Sequence, residues 1–138
     1  MFGGKRRKAV STATEAVSPF IRAFESTSGL PTGFWRDPYV VGFLSGCVAI
    51  FAKMSTGGRI AGGDLGRVTV EVFDQISGGQ GAEITSFGLD CQQAQDPEYR
   101  RGIRNADKSI SVAYNLGDYS DDPDVRAARE AAKDPRSP

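Results

Sequence analysis

Histidine does not occur among the 138 residues. Its absence removes Ser-His-Asp and Cys-His nucleophile activation, most zinc sites and any imidazole pH switch. Cysteine is nearly absent too. Cys47 and Cys91 form no CxxC pair, and each falls on the apolar face of a helical stretch. They read as reduced core thiols and point to a reducing, cytoplasmic setting, although a disulfide between them stays open. Net charge is missing as well: 17 Lys and Arg balance 17 Asp and Glu. No global field therefore favours nucleic acid or an anionic membrane. Long apolar runs are also lacking. The longest uncharged run, Pro38 to Ala52, would make a helix of about 22 Å against roughly 30 Å of hydrocarbon, which favours a buried core helix over a membrane span. The basic start is followed by Ala-Val-Ser-Thr-Ala-Thr-Glu, which is no secretory h-region, and Phe2 stands where myristoylation needs glycine.

Glycine, by contrast, is plentiful at 17 residues, and eight Phe, four Tyr and one Trp are enough to anchor a core. A chain of this length is one domain's worth and can bury roughly two thirds of its unfolded surface. Three Asp-Pro pairs punctuate it: Asp37-Pro38, Asp96-Pro97 and Asp122-Pro123. Asp supplies an N-cap acceptor, and Pro at the first helical position gives up an N–H that would be unpaired anyway, so each pair marks a helix start. A fourth pair, Asp134-Pro135, reads as a stop.

Hydrophobic spacing fills in the rest. Val10, Ala13, Val17, Phe20, Ile21 and Phe24 predict a helix over 9–25, kinked or broken at Pro19. Residues 38–54 are apolar nearly all round, as a central helix would be, and the small residues Gly42, Gly46 and Ala49 on one side would admit a neighbouring helix closely. Leu65, Val68, Val72, Phe73 and Ile76 fit a helix. The alternation Val68-Thr69-Val70-Glu71-Val72 also fits a strand, but the helical template accounts for more residues. Helices are further expected over 82–95, weakened by Gly88, and from Pro97 to a closing Gly117. The last, over 123–133, has only Val125 as a sizeable anchor. The expected fold is mostly α, an irregular bundle of about five or six helices around a central apolar helix at 38–54. In domain terms, 1–8 is a basic flexible arm, 9–117 the helical domain, and 118–138 an acidic linker with a weakly docked helix and tail.

No motif with strong catalytic specificity is present. The loop from Lys53 to Asp64 resembles an EF-hand loop in outline, with Gly58, Ile60 and Asp64 suitably spaced. Lys53, Ser55 and Gly57 stand where carboxylate ligands belong, so no calcium site is expected. The same glycines, with Arg59 and Arg67, match neither GxxxxGK[ST] nor GxGxxG. Asp64, Glu71, Asp74 and Asp90 are the available carboxylates, and their pattern reads as solvated surface. The expectation is thus a non-enzymatic chain with no cofactor, metal or small-molecule substrate. It would act as an interaction or structural module that binds a protein partner or self-associates. The proposed contacts are Phe34, Trp35 and Tyr39, because aromatics are enriched at hot spots, and the cationic strip Arg100, Arg101, Arg104 and Lys108. No aromatic residues interleave with that strip, which argues against nucleic acid. The alternative is attachment to a membrane surface through Lys5, Arg6, Arg7 and Lys8 and the amphipathic helix that follows.

Overall fold

Two of the Asp-Pro pairs start the two helices on which the bundle is built. In the computed structural model, which describes residues 2–60, 62–114 and 123–133, Asp37 Oδ1 accepts from the amides of Tyr39 and Val40 at 2.9 and 3.2 Å. Asp96 Oδ1 repeats the arrangement with Glu98 and Tyr99 at 2.9 and 3.2 Å. Each carboxylate satisfies donors that the first helical turn leaves unpaired. The described elements are α1 (Phe2–Phe24), a 3-10 turn (Phe34–Arg36), α2 (Pro38–Ser55), α3 (Gly62–Ser77), α4 (Gly81–Gln93), α5 (Pro97–Ala113) and α6 (Pro123–Lys133). Among the described residues there is no strand beyond an isolated bridge between Ser26 and Gly29. The protein is a mostly α bundle, as its periodicity predicts.

α2 is the centre. It packs against α1, α3, α4 and α5, with its widest interface to α5. Val41, Leu44, Cys47, Val48, Ile50, Phe51 and Ala52 are buried along it. By length and composition alone α2 would suffice to cross a membrane, yet here its apolar surface is the hub of the core. The α2–α5 seam is closed by small residues. A Cβ on Gly42 would fall on the backbone carbonyl of Tyr99, and one on Gly102 on the carbonyl of Tyr39. A Cβ on Gly46 would lie 2.9 Å from Ala106 Cβ. Backbone therefore meets backbone here, as the spacing of Gly42 and Gly46 predicts.

The ambiguity over 65–76 resolves as helix. Val68, Val72 and Phe73 are fully buried on one face of α3, and Thr69 Oγ1 donates to the Leu65 carbonyl at 2.8 Å. The strand pattern is incidental, since β-branched residues tolerate a helix once its face is buried. α3 begins at Gly62, so Asp64 lies in its first turn and does not cap it.

From Phe2 onward the stretch expected as an N-terminal arm is helical and belongs to α1, whose buried Ala9, Val10, Ala13, Val17 and Ile21 anchor the helix on which the basic run is the first stretch. The helix also continues through Pro19. The expected break is therefore absent, with Val17 and Ile21 buried on either side of Pro19 and Ser18 Oγ donating to the Thr14 carbonyl at 2.6 Å one turn back. At the other end α5 closes at Tyr114. Gly117, the acidic residues Asp118, Asp121 and Asp122, and the Asp134-Pro135 pair lie outside the described residues, as does the side chain of Val125. α6 packs against α5, where Lys108 Nζ is 3.5 Å from Asp124 Oδ2.

Candidate functional site

On the side of the α2–α5 seam that faces α3 and α4, the helices do not close. Ser45, Gly46, Ala49 and Lys53 of α2, Gly62, Leu65, Gly66 and Thr69 of α3, Thr85, Gly88, Leu89 and Gln92 of α4, and Tyr99 and Ile103 of α5 line a cleft of about 460 Å³. Gln92, Tyr99 and Ile103 also border a second lobe of about 480 Å³, which Gln95, Arg100 and Arg104 complete. The space exists because its walls lack side chains. A Cβ on Gly62 or Gly66 meets nothing within 4 Å, and one on Gly88 makes only ordinary contacts with Val41 and Tyr99 at 3.4–3.6 Å.

The lining is mixed in character. Leu89 is 54% exposed at the rim, and Leu65 and Ile103 are half-buried. Hydroxyls of Ser45, Thr69 and Thr85 stand among them, and Thr85 Oγ1 is buried with no hydrogen-bond partner. Burial raises the Tyr99 phenol above its ordinary value, with Cys91 pushing the same way and a hydrogen bond from Ser45 opposing. Tyr99 is therefore a neutral hydroxyl at physiological pH. Gln95 holds a left-handed φ of 53°, rare for a residue other than glycine, where the chain turns sharply from α4 into the Asp96 cap. Among the described residues no Asp or Glu lines either lobe, while Lys53, Arg100 and Arg104 do. Convergent carboxylates, which acid-base chemistry without histidine would need, are missing from the cleft.

The residues proposed from sequence disperse over the molecule. Phe34 is 6% exposed. Its ring packs against Phe24 at 5.4 Å and edge-on against Trp35 at 4.9 Å, and Trp35 in turn meets Phe73 at 6.3 Å. These rings tie α1, the 3-10 turn and α3 together. Tyr39 stacks with Phe43 at 6.3 Å, lies under the Arg101 guanidinium at 4.6 Å, and accepts a hydrogen bond from Asn105 Nδ2 at 3.0 Å. The aromatic cluster seals the start of α2, which leaves Phe34 little to offer a partner.

The cationic strip divides. Arg101 bonds Glu98 at 2.6 Å, which together with the Glu98 charge raises its pKa. Lys108 pairs with Asp124. Arg100 and Arg104 instead form a wall of the second lobe. In the basic run, Arg6 Nε lies 3.5 Å from Glu71 Oε1, and Lys5, Arg7 and Lys8 are exposed. The apolar face of α1 that membrane insertion would use is inside the bundle, so what the folded α1 presents outward from its basic run is positive charge without an apolar face.

Other chemistries find no footing. Among the described residues no group of His, Cys, Asp and Glu could hold a metal ion. The EF-hand-like loop is a helix–helix connection: Lys53 still belongs to α2, and Gly57 and Gly58, with φ of 63° and 79°, end that helix, Gly58 donating to the Lys53 carbonyl at 2.7 Å. Both thiols are free and buried. Burial pushes Cys47 up to about 12 and also raises Cys91, helped by Asp96 and Asp90. Neither has the electropositive surroundings of a reactive cysteine.

The cleft was not foreseen from sequence. Gly88 reads in the sequence as a helix weakener; a signal did exist in the number of glycines, but only the packing shows which of them face another helix and which face open space. Compared with protein-family models, with curated proteins and with solved structures, the chain matches none.

Proposed function

We propose that this chain is a non-catalytic interaction module and that the two-lobed cleft between α2–α5 and α3–α4 is its docking surface for another protein. The observation that carries the reading is the cleft itself. Four helices leave open a channel walled by Gly66, Gly88, Ala49 and exposed Leu89, with hydroxyls inside and cations on the rim. Apolar surface beside a few placed polar groups suits recognition. Among the described residues no carboxylate lines the cleft to activate its hydroxyls, which speaks against turnover. This relocates the contacts: Arg100 and Arg104 remain, while Phe34 and Trp35 serve the fold.

Site-specific photocrosslinking tests it. A photoreactive residue in place of Leu89, in cells that normally make the chain, is expected to trap one discrete protein adduct. Filling the cleft with Ala49→Leu and Gly66→Leu should abolish that adduct while the thermal melt stays cooperative. If the adduct survives the filling, or if a probe in place of exposed Thr27 traps the same species, the cleft is not the docking surface.

A further inference from the structure

The charge of the cleft says what chemistry it takes. Resting on the reading of the cleft as a docking surface, we propose that its occupant is a helix of a partner protein, with a narrow apolar face flanked by Asp or Glu. The first ground is electrostatic. The whole chain balances 17 cationic against 17 anionic residues, yet among the described residues the lining of the two lobes contains Lys53, Arg100 and Arg104 and no carboxylate. The imbalance is local to this surface. It would attract acidic side chains and repel basic ones.

Geometry gives the second ground. Arg100 and Arg104 stand four residues apart on α5, a rise of about 6 Å, which is also the rise between i and i+4 carboxylates on a helix lying alongside. No strand edge is open among the described residues, so pairing by backbone β-addition is not offered, whereas helix-in-groove docking uses walls of this kind. The glycines permit it. Gly42, Gly46 and Gly102 already let α5 lie directly on α2, and Gly62 and Gly66 leave open space where a side chain would stand on the α3 wall. From Ser45 to Lys53 the α2 wall runs about 12 Å, room for about two turns. Inside, the unpartnered Thr85 Oγ1 is a donor placed for a polar group on that helix.

The experiment uses the full chain and two labelled helical peptides of about 14 residues. Both carry one Leu/Ala stripe, flanked by Glu in one peptide and by Lys in the other, and fluorescence anisotropy is read at low salt. The acidic peptide is expected to bind at least about ten-fold tighter than the basic one, and to weaken several-fold as salt rises. Arg100→Gln with Arg104→Gln should bring the two affinities together without moving the melt, and Gly66→Leu should block the acidic peptide. Equal affinity for both peptides, binding of neither, or tighter binding of a labelled single-stranded oligonucleotide overturns the proposal. If neither peptide binds while the Leu89 adduct still depends on the open cleft, the acidic helix is wrong and the docking surface stands. If that adduct is insensitive to filling, both readings fall.

Discussion

The α2–α5 seam and the neighbouring cleft draw on the same small residues and put them to opposite use. In the seam, Gly42 and Gly102 are places where a single added carbon would strike backbone. In the cleft, a carbon added at Gly62 or Gly66 would meet nothing. The two seam helices start on Asp-Pro caps whose carboxylates hold the first amides. α4, across the cleft, starts after Gln80, whose own side chain does not cap it; its first amide, Gly81 N–H, instead reaches Asp74 Oδ1 of α3 at 3.1 Å. The comparison teaches that small residues mark close approach only where a second helix occupies the space they leave. Where it does not, they mark an opening.

The sharpest way to break this comparison is Gly42→Ala. Because the new methyl would displace the Tyr99 carbonyl and not a flexible side-chain tip, the expected loss is about 3 kcal/mol or more, read as a collapse of the urea midpoint. A melt within error of the parent would mean that the seam is not closed as described.

Next in size is a pH effect from the buried thiol of α2. Cys47 is held protonated up to about 12 in the fold, against an ordinary value of 9.0. The unfolded chain therefore releases its proton first, and stability falls as pH climbs from the unfolded value toward the folded one. At pH 10 the loss is about 1.4 kcal/mol. Urea midpoints at pH 8 and pH 10 should show that drop, and Cys47→Ala should lack its share of it.

Asp96→Ala is expected to cost about 1 kcal/mol through the lost cap, with Asp37→Ala similar. If either is silent, the caps do not distinguish the seam helices. The smallest effect has the opposite sign. Gly66→Ala should stabilise by about 0.5–1 kcal/mol, since alanine orders more readily in a helix and nothing opposes the methyl. A destabilised Gly66→Ala would show that the cleft is closed at that point.

Much of the seam is legible in the residues. Asp37-Pro38 and Asp96-Pro97 name two helix starts, the apolar surround of 38–54 names the central helix, and the spacing of Gly42 and Gly46 names its close-packed side. The cleft is not legible, because its defining property is the absence of contact. Phe34 and Trp35 show the same limit from the other side. An aromatic pair beside an arginine is equally suited to a hot spot or to a seal, and the choice falls to whether Phe24 and Phe73 stand opposite.

By itself the sequence determined the chemistry that is excluded and the helices that form. Missing histidine, scattered carboxylates, proline after aspartate and a period near 3.6 are local properties, and local sterics and hydrogen bonding read them directly. The tertiary structure decided which face of each helix met another. It turned the basic run into the first turns of α1, divided the arginine strip into paired and cleft-lining members, and left open the space beside Gly66. These outcomes depend on residues distant in sequence arriving at one place, and no window along the chain contains that information.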